Sequence, residues 1–287
     1  MIAWVAYRMA DLVVRLLPAG IADRLCVALA RLAFHAGLPA RRAQEANLAR
    51  LMGDAPRGAI RARARESFEH FALALSDFLR LDSMAPEALA GAIEIHGEEH
   101  LEAARAAGRG VILVSAHLGN WEWGAAWLAT RGPRVHVVAR AHASAGVERL
   151  FQRLRRGWGV SMLPDHAPWR EAARALRRGE WVAVMADRPA LGLGSGRAAR
   201  RSTSACAGAA TLARRAGARV LPAVMIHVPG RRYAACFEPA LTLDRSRAGT
   251  TAGHGGPGAD VGAVLRRLLR RHPGQWCAFE PVPEALR

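Results

Sequence analysis

Ile2, Val5, Met9, Leu12, Val13, Leu16 and Leu17 recur at three- and four-residue intervals, and Leu25, Ala28, Leu29, Leu32 and Ala33 resume the period after Pro18-Ala19-Gly20. That spacing collects apolar side chains on one wide helical stripe, so the chain is expected to begin with a helical hairpin over residues 1–38. The hairpin reads either as a helix pair packed on its own domain or as an interfacial anchor with Trp4, Tyr7 and arginines at headgroup level. Arg41 to Leu51 and Arg57 to Leu81 keep the helical period, which makes the first third all-helical. Arg61, Arg63 and Arg65 there read as a solvated face.

From residue 92 the pattern changes. Short apolar runs at Val111–Val114, Val135–Val138, Trp181–Met185 and Val220–Met225 alternate with helical stretches near 98–107, 121–130, 144–157, 168–178 and 203–216. Tyr233 to Phe237 adds a late strand after Pro229-Gly230. Strands spaced by helices of this length predict an α/β fold, a mostly parallel central sheet flanked by helices. The expected organisation is the hairpin over 1–38 and one domain over 39–287. Ala248 to Gly262, rich in Gly, Ala and Thr, reads as a surface loop, and no internal repeat stands out.

Composition narrows the chemistry. The 287 residues are 51% hydrophobic, enough for a large core, and carry 41 basic against 24 acidic side chains, a net charge of +17. Every basic residue is arginine, so lysine nucleophiles, Schiff bases and a P-loop lysine are excluded. Arginine offers planar, permanently charged forks for phosphate and carboxylate, which favours anionic partners: nucleic acid, an anionic membrane or phosphorylated substrates. Cys26, Cys206, Cys236 and Cys277 form no CxxC pair, so neither a zinc ribbon nor a disulfide framework is expected, and a reducing compartment is the simplest home. The apolar start is broken by Arg8, Asp11, Arg15, Asp23, Arg24 and Arg31, too often for a span of about 18 apolar residues.

The most informative segment is Val111-Ile-Leu-Val-Ser-Ala-His-Leu-Gly-Asn-Trp-Glu-Trp123. A buried strand runs into His117, a Gly-Asn turn, and Glu122 at the start of the next helix. Substrates of open α/β sheets gather at such strand ends. A histidine held at one ring nitrogen by a carboxylate presents the other as a general base, able to deprotonate an alcohol as it attacks an acyl carbonyl. Five residues apart on one helix the two side chains would not share a face, but with His117 on the loop the imidazole is expected to fold back onto Glu122. No GxSxG elbow is present, since Gly192 to Gly196 has Leu193 where the first glycine belongs, and this argues against a serine hydrolase.

Ser115-Ala-His-Leu-Gly-Asn-Trp-Glu122 resembles the HxxxxD/E block of glycerolipid acyltransferases, in the form found in bacterial lipid A late (lauroyl and myristoyl) acyltransferases and phosphatidylinositol mannoside acyltransferases. The resemblance covers most of the chain: Arg42 to Leu48, Gly97 to Gly110, Val137-Val-Ala-Arg140, Trp181 to Asp187, Thr211 to Pro222 and His272 to Trp276 are similar to further blocks of that family. It implies a membrane-associated enzyme on the cytoplasmic face of the inner membrane. The acyl chain would pass from acyl carrier protein or coenzyme A to a hydroxyl of a glycolipid such as a lipid A precursor, with no cofactor beyond the acyl thioester and no metal. It also implies His117 as base and Glu122 as its orienting partner. Asn120, Arg140, Asp187 and Arg188 would bind substrate, Arg140 meeting phosphate or oxyanion charge.

The chain departs from the pattern at Asp187-Arg-Pro189, at Leu191 to Arg201 and after Gln275-Trp276, which leaves other acceptors open, a phosphatidylinositol mannoside-like glycolipid or a lysophospholipid among them. The alternatives of a different class are a non-catalytic lipid-binding protein and a nucleic-acid-binding basic protein. Arg153, Arg155 and Arg156 beside Trp158 mix charge and aromatic character, but no RRM, KH, zinc-finger or helix-turn-helix signature accompanies them. His96 and His100, Asp165-His166 and the GxGxxG at Gly253 to Gly258 lack the context that metal or dinucleotide binding requires.

Overall fold

The computed structural model describes residues 2–163, 168–188, 205–229, 232–242 and 257–282. Four helices lead: α1 (Ile2–Leu16), α2 (Ala19–His35), α3 (Pro39–Met52) and α4 (Arg57–Arg80). Prolines set three of these starts, with Pro39 at the first position of α3 and Pro18 and Pro56 at the N-caps of α2 and α4. The rest alternates: α5 (Pro86–Gly91), β1 (Ile93–His96), α6 (Glu98–Ala106), β2 (Val111–Ser115), α7 (Trp121–Ala129), β3 (Val135–Val138) and α8 (Ala145–Gly157). There follow β4 (Ser161–Met162), α9 (Pro168–Arg177), β5 (Trp181–Met185), α10 (Ala205–Ala216), β6 (Arg219–His227), β7 (Tyr233–Phe237) and α11 (Pro257–Arg271).

Among the described residues seven strands form one sheet in the order β1-β7-β6-β2-β5-β3-β4, parallel throughout except where β7 runs antiparallel to β6. β2 and β5 are central and buried on both faces, which explains their unbroken apolar runs. Their alternate residues serve separate cores. Ile112, Val114, Val182 and Val184 pack on one side with α10 and α11, whereas Val111, Leu113, Trp181 and Ala183 pack on the other with α7 and α8. The expected α/β class holds, and each expected strand and helix in the described segments is present to within a few residues. β4 escaped the pattern because two residues carry no period. The loop expected over 248–262 is corrected at its end, where Pro257–Gly262 opens α11. Residues 248–256, 191–201 and Asp165-His166 lie outside the described residues.

The hairpin lies against α4 by burying Ala22, Ala30 and Phe34, and it is tied to the sheet by charge. Arg80 on α4 donates to Asp23 on α2 at 2.9 Å. Arg232, just before β7, bridges Asp23 at 3.1 Å and the buried Asp77 of α4. Asp77 also accepts the Tyr233 hydroxyl at 2.6 Å, and burial followed by the Asp77 charge pushes the Tyr233 pKa well up. Removing one partner of a buried pair strands the other charge. Asp77→Ala is therefore expected to lower stability by about 3 kcal/mol in urea denaturation, while Arg61→Ala, on the exposed side of α4, changes it little.

Candidate active site

Parallel pairing of the two central strands brings the reactive groups together. Ser115 at the end of β2 is in register with Met185 at the end of β5, and Ala186 N–H donates to the Ser115 carbonyl at 2.7 Å. Two residues further along each strand stand His117 and Asp187. The His117 backbone N–H donates to Asp187 Oδ2 at 3.0 Å, and His117 Nδ1 lies 2.8 Å from Oδ1. An ionised carboxylate only accepts, so Nδ1 carries the proton and Nε2 is left as the basic nitrogen. Trp276 Nε1 donates to Asp187 Oδ2 at 2.9 Å. Asp187 is 1% exposed. Burial works against its charge, but the field and hydrogen bond of His117, with the Trp276 indole, outweigh it and hold the pKa down to about 2. With its folded pKa below the ordinary value, Asp187 adds stability that is present above about pH 4 and is lost as the pH falls towards 2.

The carboxylate expected against the His117 ring was Glu122; the one that meets it is Asp187. Glu122 sits in the first turn of α7 and is claimed by Arg155 of α8, whose Nε donates to Oε2 at 2.9 Å while its NH2 group holds Oε1. Both side chains are buried, and a buried guanidinium leaves no free carboxylate beside it. The five-residue spacing of His117 and Glu122 therefore spans two separate ion pairs, His117–Asp187 and Glu122–Arg155, at one loop.

That loop is fixed from three sides. Gly119 N–H donates to the Gln275 carbonyl and Asn120 N–H to that of Met225, and Cys277 N–H donates back to the His117 carbonyl. Gly119 has φ +64°, and a Cβ there would stand 1.9 Å from the Met225 oxygen, so only glycine fits. Asn120 caps α7 by accepting from Trp123 N–H, and its amide donates to the Tyr233 hydroxyl at 3.0 Å and to the Ala74 carbonyl. The Asn120 side chain is a scaffold element, although the residue also lines the cavity. The Trp121 ring stands edge-on to the His117 imidazole at 4.8 Å.

His117 opens onto a cavity of about 620 Å³, within the range of roughly 300–1,000 Å³ that small-molecule sites span. Its depth is apolar, with Leu113, Trp127, Leu128, Ala183, Met225 and Phe237 among its walls. Its polar side is cationic. Arg140 lines it from an exposed position after β3, and Arg188 lines it while pairing with Glu280 at 3.3 Å. Among the described residues no three His, Cys, Asp or Glu side chains converge as a metal site. Sequence reading placed Trp276 only in a family-similar block and Arg155 only in a basic-aromatic patch, and gave neither a part in the site. The signal for Asp187's part was present, since the β2 and β5 runs both end in an alanine followed by a polar residue six positions after their first paired residue.

A histidine-carboxylate pair at the mouth of an apolar cavity, without a serine elbow among the described residues, suits transfer of an apolar acyl group. The family model described as bacterial lipid A biosynthesis acyltransferase matches residues 1–279. The chain belongs to that family and is an acyltransferase. It is 28% identical over 253 residues, 82% of this chain and 74% of the other, to a phosphatidylinositol mannoside acyltransferase of Mycobacterium tuberculosis (strain CDC 1551 / Oshkosh). It is 29% identical over 179 residues, 61% of this chain and 58% of the other, to the protein so named in Mycolicibacterium smegmatis. The crystal structure of the 1-acyl-sn-glycerophosphate (LPA) acyltransferase, PlsC, of Thermotoga maritima aligns over 88% of this chain and 99% of that one, with TM-score 0.39 and 15% identity.

In this acyltransferase Asp187→Asn is expected to cost on the order of 10²–10⁴ in the rate of acyl transfer. Glu122→Gln is expected to act mainly through stability, by leaving Arg155 unpaired. Imidazole ¹⁵N shifts separate the two: the His117 tautomer should change in Asp187→Asn and persist in Glu122→Gln. The reverse pattern would return the orienting role to Glu122.

Proposed function

We propose that this acyltransferase moves a fatty acyl chain from an acyl thioester, carried by acyl carrier protein or coenzyme A, to a hydroxyl of a glycolipid at an anionic membrane surface. His117 Nε2 takes the proton of the acceptor hydroxyl as its oxygen attacks the thioester carbonyl carbon. The tetrahedral oxyanion collapses with cleavage of the carbon–sulfur bond, and the departing thiolate receives the proton from the imidazolium. Asp187 stays ionised throughout and stabilises the imidazolium as it forms. Arg140 and Arg188 at the cavity side meet phosphate on donor or acceptor and the developing oxyanion charge.

The observation that carries this reading is the His117–Asp187 pair opening onto an apolar cavity with arginines on its polar side. The glycolipid acceptor is supported by the family's description and by the two mycobacterial relatives, which are named for a phosphatidylinositol mannoside. Membrane contact is supported by the hairpin. All the exposed large hydrophobic side chains among the described residues fall within 1–38: Val5, Met9, Leu12 and Leu16 form one stripe on α1, and Ile21, Leu25, Leu29 and Leu32 another on α2. Among the described residues no helix is long and apolar enough to cross a membrane. Together the stripes suit insertion into the headgroup layer.

Mass spectrometry of lipids from cells with and without the gene tests the reaction. Loss of one acyl chain from a glycolipid, restored by the native gene and not by His117→Ala, is the expected outcome. A normal glycolipid profile under expressing conditions, or rescue by His117→Ala, would overturn it. For the hairpin, Leu16→Glu with Leu32→Glu should reduce partition of the purified protein into vesicles by tenfold or more while its thermal unfolding stays unchanged. Both residues are more than 60% exposed, so nothing in the core is lost.

A further inference from the structure

The turns of α1 bear three different stripes. Tyr7, Ala10 and Val14 face the protein, and the stripe Val5, Met9, Leu12 and Leu16 faces away from it. The third, Trp4, Arg8, Asp11 and Arg15, lines a cleft of about 420 Å³ against α8, which contributes Arg149 and Arg153. The cleft is built by close packing. Gly146 on α8 has no side chain, and a Cβ there would lie 2.6 Å from the Trp4 ring, so the indole rests on helix backbone and forms one wall. Charge is organised within it. Asp11, 3% exposed, accepts from Arg8 at 2.9 Å and from Arg15 at 2.8 Å. Asp82, after α4, accepts from Arg15 and Arg153. Four guanidinium groups thus face two carboxylates, leaving two positive charges in excess. Arg8 is held near the Trp4 ring, 5.6 Å from its centroid, and Arg149 is exposed with no partner among the described residues.

We propose that this α1–α8 cleft is a binding site for the phosphate of an anionic phospholipid, separate from the cavity at His117. The apolar stripe on the same helix, one residue along from Arg8, Asp11 and Arg15 at each turn, would enter the headgroup layer and bring the cleft level with lipid phosphates. Arginine forks match phosphate oxygens in pairs, and an indole wall suits the wet edge of the hydrocarbon. The inference rests on the membrane side of the proposed function and is independent of the reaction at His117.

The test is vesicle partition of the full chain, with phosphatidylcholine alone and with one-fifth phosphatidylglycerol. Native protein should prefer the anionic vesicles. Arg8→Gln with Arg149→Gln should lose about 25-fold of binding to anionic vesicles, at roughly fivefold for each basic side chain near the surface. Its binding to neutral vesicles should be unchanged. Asp11 keeps Arg15 in that variant, so the helix contact survives. Arg149→Glu, at a side chain with no partner among the described residues, should give a similar loss by itself. Arg61→Gln with Arg177→Gln removes the same charge elsewhere on the surface, and an equal loss there would overturn the site in favour of bulk charge. Inorganic phosphate that displaces the protein from anionic vesicles at the concentration of lipid phosphate would overturn a lipid origin. Unchanged vesicle binding with slower transfer from an acyl carrier protein would assign the cleft to an acidic protein instead. Absence of native binding to either vesicle would remove the membrane reading itself, while leaving the acyl transfer assay untouched.

Discussion

The hydrogen-bonded pairing of β2 with β5 is the constraint on which the site depends. Register fixes which residues emerge side by side past the last rung, and a slip of one residue would turn every side chain of the strand to the opposite face. Because Ser115 pairs with Met185, His117 and Asp187 emerge together, and the carboxylate takes both the ring and the backbone N–H of the same histidine. Burying the charge of Asp187 would be costly alone. Three donors from two distant parts of the chain, His117 twice and Trp276 once, offset that cost and hold the imidazole in one orientation.

The same loop is held by segments with no sequence proximity to it. The carbonyls of Gln275 and Met225 accept from Gly119 and Asn120, and Gln44 in α3 holds the Trp276 carbonyl at 2.6 Å. Asn120 continues through Tyr233, Asp77 and Arg232 to Asp23 of the hairpin, so an unbroken hydrogen-bonded chain runs from the apolar N-terminal face to the active loop. Polar groups so deeply buried specify one arrangement because any displacement leaves one of them without a partner.

The architecture was legible because local pattern and global fold agree. The unbroken apolar runs at Val111–Ser115 and Trp181–Met185, the helical period of α3 and α4, and the Gly119 turn each have one reading that satisfies sterics and burial. Within the site, the position of His117 was legible and the carboxylate that meets its ring was not. Glu122 is the nearest carboxylate along the chain, but which carboxylate is nearest in space depends on strand order, and period carries no information about whether β2 neighbours β3 or β5. Arg155 went unassigned for a related reason: in an arginine-rich helix with Arg153 and Arg156, the composition is the same whichever one turns inward.

The cavity is lined by alanines from three strands of the sheet, Ala183 of β5, Ala223 of β6 and Ala235 of β7. Each is the smallest side chain that a pleated sheet accepts without the flexibility of glycine. Exchanging any one for valine or leucine would add two or three carbons to the cavity wall. The sheet thus separates two features along one set of strands: their ends carry the His117–Asp187 pair, and their middles line the apolar depth of the cavity.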